Sequence, residues 1–448
     1  MNDIYFSHDG GRRPPTAHTQ TMRHICYLLL LLIVQFTGKA QSALTPEQWQ
    51  RDIELLRTGL PARVPSLFSG KYTQKEFDAD LSALAQKTKG RPDLEVALEL
   101  QTIVAKAGHA YARLDLSSLL QKDKIIPIGL GTFSDGVYMS GTVKRFERAL
   151  RCKILSINNQ DIEVVYQKLA RFVSQDNEQT LRRDGLQWLR FPAAFRLAGI
   201  SQSDTLNLVI QNPRGGHDVV SVFPLDPQRN QRDMTPSIVE PRSPDLRWRQ
   251  ELSLWDLQWL PQDSVVYFQY NGCIGRESAA AHGEMDMAEK LPPFQPIADS
   301  IAHLMAQHPN ARFFFDIRIN NGGRTDDGFA LADRLAAMPE VNQKGRLYVA
   351  IGWFTGLEAG QVAQYFRQKT KAVLLGEPTA ERVGRSNPVG SFGLPSSGIS
   401  VTYPAANKPQ DKSNLSILQP DIQIQRSFED FRLGRDPVLD WVRRGGKQ

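Results

Sequence analysis

The sequence predicts an α/β protein whose core follows a helical segment and a β-rich segment. Between residues 45 and 107, most apolar residues recur three or four positions apart, which indicates helices. Short β-rich runs separated by Gly, Asn and Asp follow from residue 125 to residue 228. From residue 254 onward, strand-like and helix-like runs alternate, as is typical of an α/β core with a partly parallel sheet.

Composition and charge exclude several classes of protein. The 448 residues are 41% hydrophobic and 23% charged, with 33 Gly and 27 Pro, which excludes collagen-like, coiled-coil and largely disordered chains. The formal net charge of +6 is not concentrated in long runs, and no basic stripe with interleaved aromatic residues occurs, so nucleic acid is not an expected partner. Three cysteines are too few for a disulfide-dense scaffold.

An export signal is predicted near the N-terminus. The mostly apolar run Cys26–Phe36 is preceded by Arg23 and followed by small residues at Gly38 and Ala40. A basic start, a short apolar centre and small residues before a cleavage point describe a secretory signal. A bilayer span needs about 20 residues, so no stable membrane span is expected after cleavage. A buried helix or an uncleaved anchor is the alternative.

The signal region covers residues 1–40, with the signal itself at residues 22–40 and Met22 as an alternative start. We therefore expect an exported protein, periplasmic or secreted. After cleavage only Cys152 and Cys273 remain, and the sequence leaves open whether they pair. It also leaves the oligomeric state open.

The helical segment, residues 41–124, is expected to form an N-terminal cap. Thr45 followed by Pro46 is the pattern of a helix N-cap with proline at the first helical position. The apolar positions of the cap are Leu55, Leu56, Phe77, Leu81, Leu84, Leu94, Ala97, Leu100, Ile103 and Val104.

The β-rich segment, residues 125–228, resembles a PDZ-like module. Ala149–Gln160 is similar to a strand pair of that domain, although Arg151 and Asn159 stand where glycine is usual. A generic small β/α module is the alternative. The expected strands are Ile125–Leu130, Gly136–Ser140, Lys153–Ile157, Leu206–Ile210 and Val219–Phe223, and the expected helices are Ile162–Val173 and Arg182–Leu197.

A charged, Pro-containing linker at residues 229–250 precedes the α/β core at residues 251–448. The expected strands of this core are Ser264–Tyr270, Arg312–Ile317, Arg346–Ile351 and Ala372–Leu375, and its expected helices are Phe294–Gln307, Gly328–Met338 and Ala359–Gln368. Strands that alternate with helices of these lengths favour parallel neighbours in the sheet.

Two strands of the core lead into turns that suit chemistry. Asp316–Gly323 runs from a buried strand into a glycine pair, which lets backbone N–H groups approach a ligand closely and form an oxyanion hole. An ordinary turn at a strand end is the alternative. Ala350–Ala359 leads from a strand through a tight turn into a helix, whose N-terminus favours developing negative charge.

Together with three further stretches, these turns resemble the motifs of the tail-specific (C-terminal-processing) protease family of serine peptidases, which is related to the tricorn protease core and to interphotoreceptor retinoid-binding protein. In the family's order the stretches are Ala107–Ala110, Asp316–Gly323, Ala350–Ala359, Gly376–Thr379 and Leu394–Gly398. Ala107 stands where the first motif has Asp. The resemblance covers essentially the mature chain. It implies a crotonase-like or ClpP-like βαβ protease core, a polypeptide substrate, peptide-bond hydrolysis by acyl transfer, and no cofactor.

The resemblance also implies roles for individual residues. His109 stands at the position of the base that removes the nucleophile's proton. The backbone N–H groups of Gly322, Gly323 and Glu358 would hold the oxyanion. A purely structural histidine is the alternative for His109.

The nucleophile position departs from the family pattern. Counting back 19 residues from Gly376 places the family's serine at Leu357, which has no nucleophilic atom. The nearest hydroxyl belongs to Thr355, which is the alternative nucleophile, although its β-branch crowds a tight turn. Arg382 stands near the place of the lysine that one subgroup uses, and an arginine cannot give up its proton to act as a base.

The sequence is therefore compatible with two functions. The first is an exported serine-type peptidase that uses His109 with Thr355 or another hydroxyl. The second is a catalytically dead relative that binds a peptide or an apolar ligand, because Leu357 removes the chemistry. No H-E-x-x-H, paired C-x-x-C or Walker-type loop occurs, so neither a metal nor a nucleotide is expected.

Overall fold

The computed structural model describes residues 43–226, 232–241, 245–383, 389–404 and 416–446. The predicted signal at residues 22–40 lies outside the described residues. Within the described residues, no helix combines the length and the apolar character needed to cross a bilayer.

The segment predicted to be helical contains three helices of twelve or more residues: α1 Pro46–Arg63, α2 Gln74–Ala85 and α3 Asp93–Ala105. The Thr45 hydroxyl accepts a hydrogen bond from the Gln48 backbone N–H, and the Gln48 side chain accepts one from the Thr45 backbone N–H. This capping box explains why α1 begins where it does and confirms the N-cap expected at Thr45. A short strand β1, Arg113–Asp115, and the one-turn helix α4, Ser117–Leu120, follow.

A seven-stranded sheet spans the β-rich segment and takes its last strand from the segment predicted to be a linker. Its strands are β2 Gly129–Phe133, β3 Gly136–Val143, β4 Lys153–Ile157, β5 Gln160–Asp161, β6 Leu206–Gln211, β7 His217–Val222 and β8 Pro236–Ile238. The order is β2-β3-β4-β6-β7, with β5 beside β4 and β8 beside β3, and every pair is antiparallel. Between β5 and β6 lie the helices α5 Ile162–Leu169, α6 Glu178–Asp184 and α7 Pro192–Leu197.

Two details of this sheet differ from or add to the sequence prediction. The first strand begins at Gly129 rather than at Ile125, because the Ile126 N–H donates to the Arg190 carbonyl and the Ile128 N–H to the Ile126 carbonyl instead of to a neighbouring strand. Arg151 and Asn159, which occupy the usual glycine positions, have left-handed backbone conformations with φ of 68° and 61°. The turns therefore keep the geometry that glycine normally supplies.

The C-terminal half contains a six-stranded sheet with the order β18-β13-β12-β11-β10-β9. The strands of this half are β9 Trp255–Leu260, β10 Val265–Tyr270, β11 Arg312–Asp316, β12 Leu347–Ile351, β13 Val373–Gly376, β14 Arg382–Val383, β15 Val389–Gly393, β16 Ser400–Pro404, β17 Ser416–Ile417 and β18 Ile422–Gln423. Neighbours in the six-stranded sheet run parallel except β9, which runs antiparallel to β10. The predicted α/β class with a partly parallel sheet is confirmed, whereas β9 and the β15–β16 hairpin were not predicted.

Helices connect and cover the strands of this half. They are α8 Leu246–Arg249, α9 Arg276–Ala281, α10 Met285–Ala288, α11 Gln295–Gln307, α12 Asp326–Ala336, α13 Leu357–Lys369, α14 Phe428–Leu433 and α15 Pro437–Arg443. Both faces of β11 are covered: Phe313 and Phe315 belong to one hydrophobic cluster and Phe314 to another. Burial on both faces explains why this strand is an unbroken apolar run in the sequence.

The β15–β16 hairpin lies against the N-terminal helices rather than in the six-stranded sheet. β16 pairs antiparallel with β1, and Leu394, Ile399 and Val401 belong to the same hydrophobic cluster as the cap helices and the seven-stranded sheet. The free thiols of Cys152 and Cys273 are both buried, and the two residues belong to different clusters.

The Asp52 carboxylate fixes the loop that resembles the family's last motif. It is fully buried on α1 and accepts hydrogen bonds from the backbone N–H groups of Ser396 (2.9 Å) and Ser397 (2.7 Å). Asp52→Asn leaves one acceptor oxygen for two donors, so we expect the free energy of unfolding to fall by about 2 kcal/mol. Urea denaturation followed by circular dichroism measures this change.

Glu54→Gln on the same helix is the matched control, because Glu54 is exposed and its carboxylate pairs with Arg57. It is expected to change stability by less than about 0.5 kcal/mol. Equal effects of the two substitutions would show that the Asp52 contacts do not stabilise the loop.

Candidate active site

Three turns lie together at the carboxyl ends of parallel strands. β11 leads into residues 317–323, β12 into residues 352–356, and β13 into residues 377–379. Ligand sites of open α/β sheets occur at this edge, where strand ends bring loops from distant parts of the chain together. We call residues 320–323 the glycine turn and residues 352–356 the helix-start turn.

Asn320 and two glycines determine the shape of the glycine turn. The Asn320 amide donates to the Tyr270 carbonyl (2.7 Å) and accepts from the Gly322 N–H (2.9 Å). Gly322 and Gly323 have φ of 112° and 133°, values that residues with a Cβ atom rarely adopt. A Cβ atom on Gly323 would lie 2.5 Å from the Cys273 carbonyl oxygen. The turn therefore requires glycine for both conformation and space.

Leu357 is the first residue of α13, directly after the helix-start turn. The Gly356 N–H donates to the Asn320 carbonyl (2.7 Å), which joins this turn to the glycine turn. The Leu357 side chain is 6% exposed. The strand–turn–helix arrangement that the sequence predicted is present, and an apolar side chain occupies the first helical position.

The Thr355 hydroxyl is used inside the helix-start turn. Thr355 is 1% exposed. Its Oγ1 accepts from the Gly352 N–H (2.9 Å) and donates to the Ile317 carbonyl (3.0 Å). A hydroxyl with both partners in the backbone stabilises a turn. This geometry does not support the predicted role of Thr355 as a nucleophile.

The Glu358 carboxylate lies over the glycine turn. It accepts a hydrogen bond from the Gly323 N–H (3.3 Å), and a Cβ on Gly322 would collide with the same carboxylate. The sequence predicted a role only for the backbone N–H of Glu358. Its side chain was missed because no local pattern shows which donor a carboxylate will reach.

His109 lies on the loop between α3 and β1 and is partly buried. Its Nδ1 accepts from the Tyr111 backbone N–H (3.3 Å), so the neutral ring carries its proton on Nε2. Burial lowers the pKa of His109, and this effect outweighs the opposing charge of Asp176. Within the described residues, no hydrogen bond joins the imidazole to the helix-start turn.

Asp176 connects the His109 loop to the chain after the Gly376–Thr379 motif. Its buried carboxylate accepts from the Ala110 N–H (3.3 Å) and the Arg382 N–H (3.0 Å), and the Arg382 guanidinium lies 3.6 Å away. Arg382, which stands near the lysine position of one family subgroup, is therefore an ion-pair partner. Sequence inspection did not single out Asp176, because it lies about 200 residues from the segment that it joins.

Tyr111, Arg183 and Glu381 form a second polar cluster beside the first. Arg183 donates to the Glu381 carboxylate (2.8 Å), and the Tyr111 hydroxyl donates to the same carboxylate. Burial raises the pKa of Tyr111, and the charges of Glu381 and Glu358 raise it further. The His109 and Tyr111 rings lie close together, with centroids 6.1 Å apart.

Metal ligands do not gather here: in the described ranges, no group of three or more His, Cys, Asp or Glu residues is arranged to hold an ion.

Several solved structures are similar to this chain. Mature CPAF, in a complex with lactacystin, has a TM-score of 0.54 at 12% identity, and the match covers 89% of this chain and 98% of that chain. A second structure of mature CPAF has a TM-score of 0.51 at 12% identity and covers 89% and 96%. The photosystem II D1 C-terminal processing protease matches with a TM-score of 0.36 at 13% identity over 90% and 98%.

No protein-family model and no curated protein matches this sequence. The likeness to mature CPAF, at 12% identity, shows a shared fold. The low sequence identity indicates a divergent chain. Fold and site together define an α/β protein that shares the fold of mature CPAF and carries motifs resembling those of the tail-specific proteases.

Proposed function

We propose that this protein is a catalytically dead relative of the tail-specific proteases that binds an extended polypeptide. The observation that carries the proposal is Leu357 at the first position of α13, where the family pattern has its serine. A second hydroxyl does not replace it, because Thr355 has both hydrogen-bond partners within the backbone. The acyl-transfer step therefore lacks an attacking atom.

The glycine turn supports the same conclusion. An oxyanion would need the Gly323 N–H, which the Glu358 carboxylate already engages. Two negative charges 4 Å apart repel each other by about 4 kcal/mol at the effective dielectric constant near a protein surface. In the ligand-free arrangement, this repulsion offsets the roughly 3–4 kcal/mol that one oxyanion-hole donor contributes to catalysis.

The orientation of His109 is a third argument against catalysis. A general base must present an unprotonated nitrogen to the nucleophile. The Nδ1 atom of His109 is engaged by a backbone N–H, which leaves the protonated Nε2 as the free nitrogen. In this arrangement Nε2 is a hydrogen-bond donor and does not accept a proton.

A polypeptide is the ligand class that the fold and the exposed surface favour. Phe354, in the helix-start turn, is 47% exposed and offers an aromatic contact beside the strand ends.

We further propose a PDZ-like role for the seven-stranded sheet and a crotonase-like or ClpP-like arrangement for the core. The left-handed conformations of Arg151 and Asn159 support the first of these. Export by the signal at residues 22–40, to the periplasm or the medium, completes the proposal.

Labelling and binding by the purified protein test the proposed function. We expect no labelling by a fluorophosphonate probe and no cleavage of fluorescein-labelled, permanently unfolded casein, with measurable binding of that casein by fluorescence anisotropy. His109→Ala and Thr355→Ala are the comparison variants, and both are expected to resemble the unmodified protein in the labelling assay. Labelling that disappears in Thr355→Ala would instead establish the serine-type peptidase alternative, with threonine as the nucleophile.

A further inference from the structure

We propose that the Glu358 side chain is an internal competitor for the polypeptide ligand at the Gly323 N–H. The inference rests on the proposed function and adds a regulatory contact to that site. The ligand group that competes is a peptide carbonyl oxygen. When the ligand binds, the Glu358 carboxylate leaves the glycine turn and the carbonyl takes its place.

The donors at the glycine turn are arranged for an acceptor from outside the backbone. The left-handed conformations of Gly322 and Gly323 direct the Gly323 N–H away from the local backbone, and Glu358 is the acceptor that meets it. The first N–H groups of a helix also lack intrahelical partners, and α13 begins at Leu357. A peptide carbonyl placed between the glycine turn and the start of α13 can accept hydrogen bonds from N–H groups of both.

One N–H group donates fully to one acceptor, so the two acceptors exclude each other. The carboxylate lies 3.3 Å from the Gly323 nitrogen, which is long for a charge-assisted hydrogen bond. A Cβ atom at Gly322 would occupy the space of the same carboxylate. The carboxylate therefore occupies both the Gly323 N–H donor and the space that a ligand backbone would need.

Glu358 is held by few interactions and can move. Among the described residues, no lysine or arginine forms an ion pair with its carboxylate. The Glu381 carboxylate has the same charge as Glu358, and both carboxylates raise the pKa of Tyr111. The favourable contribution is the position of an acid in the first turn of α13, which is worth about 0.3–1 kcal/mol. A peptide hydrogen bond of ordinary strength is enough to displace it.

The test compares Glu358→Ala, Glu358→Gln and the control Glu289→Ala for binding of the same fluorescein-labelled unfolded casein. Glu289 is exposed and follows α10. We expect Glu358→Ala to bind about tenfold more tightly than the unmodified protein, Glu358→Gln to bind with intermediate affinity, and Glu289→Ala to be unchanged. An affinity of Glu358→Ala equal to or weaker than that of the unmodified protein would overturn the proposal.

Amide hydrogen exchange separates this inference from the proposed function. In the ligand-free protein, the Gly323 amide is expected to exchange faster in Glu358→Ala than in the unmodified protein, while amides of β12 exchange at unchanged rates. Equal exchange at Gly323 contradicts the internal contact even if casein binds. Conversely, faster exchange without casein binding by any variant overturns the proposed function and, with it, the competition. Faster exchange together with tighter binding supports both.

Discussion

Replacing Arg318 by methionine is expected to lower the free energy of unfolding by about 3–5 kcal/mol. The Arg318 guanidinium is 6% exposed and lies between two buried carboxylates. Its nitrogen atoms donate to Asp316 at 2.6–2.8 Å and to Asp436 at 2.5–2.8 Å. Without the cation, two buried charges lose their partner, and α15 loses its connection to the end of β11. Urea denaturation followed by circular dichroism measures the loss.

The matched control is Arg334→Met. Arg334 pairs with Asp299, but the two side chains are 35% and 53% exposed. Surface pairs contribute less than about 1 kcal/mol because water screens both charges. If the two variants lose equal stability, the buried network does not hold the C-terminal helix in place.

The Asp316–Arg318–Asp436 network also predicts acid sensitivity. Burial alone would raise the pKa of Asp436, but the Arg318 guanidinium outweighs it and holds this pKa well below the usual aspartate range. As pH falls through that range, the unfolded chain binds a proton at Asp436 while the folded chain does not, so this contribution to stability is lost on acidification. Asp245 opposes the trend, because burial raises its pKa. Asp436→Asn is therefore expected to unfold with a weaker dependence on pH between about 5 and 3.

Gly323→Ala is expected to cost about 3 kcal/mol of stability. The new Cβ atom would lie 2.5 Å from the Cys273 carbonyl oxygen, a backbone atom that cannot swing aside. The residue would also keep a φ of 133°, which alanine rarely adopts. Strained dihedrals cost about 1–3 kcal/mol and steric overlap a similar amount. Thermal unfolding and urea denaturation give the change in stability.

Gly398→Ala is the control that separates the cost of the strained backbone dihedral from the cost of the steric overlap. Gly398 has a φ of 73°, but its Cβ would meet no atom within 4 Å. We expect a loss of about 1 kcal/mol there, from the dihedral alone. A loss at Gly323 no greater than at Gly398 would mean that the glycine turn adapts to a side chain, contrary to its packing against Cys273.

Periodicity and turn residues predicted much of the fold. The apolar run around Phe314 predicted a buried strand, and β11 covers Arg312–Asp316. The edge strand β9 and the β15–β16 hairpin were missed, because partly exposed strands carry a weak alternation that resembles loop sequence. The pairing of β16 with β1 joins residues nearly 300 positions apart, which no local pattern can indicate.

The candidate site was predicted in part. The motifs identified the glycine turn and the helix-start turn, and they predict Leu357 at the family's serine position. The sequence predicts Thr355 as an alternative nucleophile because it shows proximity along the chain. It does not show the hydrogen-bond partners of the hydroxyl. Asp176 and the Glu358 side chain were missed, since each acts through a contact with a distant backbone N–H.

The sequence by itself determined the α/β class, the order of the motifs and the absence of a nucleophilic atom at Leu357, because these depend on residue type and spacing. The tertiary structure decided which donors are free and which are engaged. That depends on where groups from different parts of the chain meet, and here the Glu358 carboxylate of α13 accepts a hydrogen bond from the Gly323 N–H.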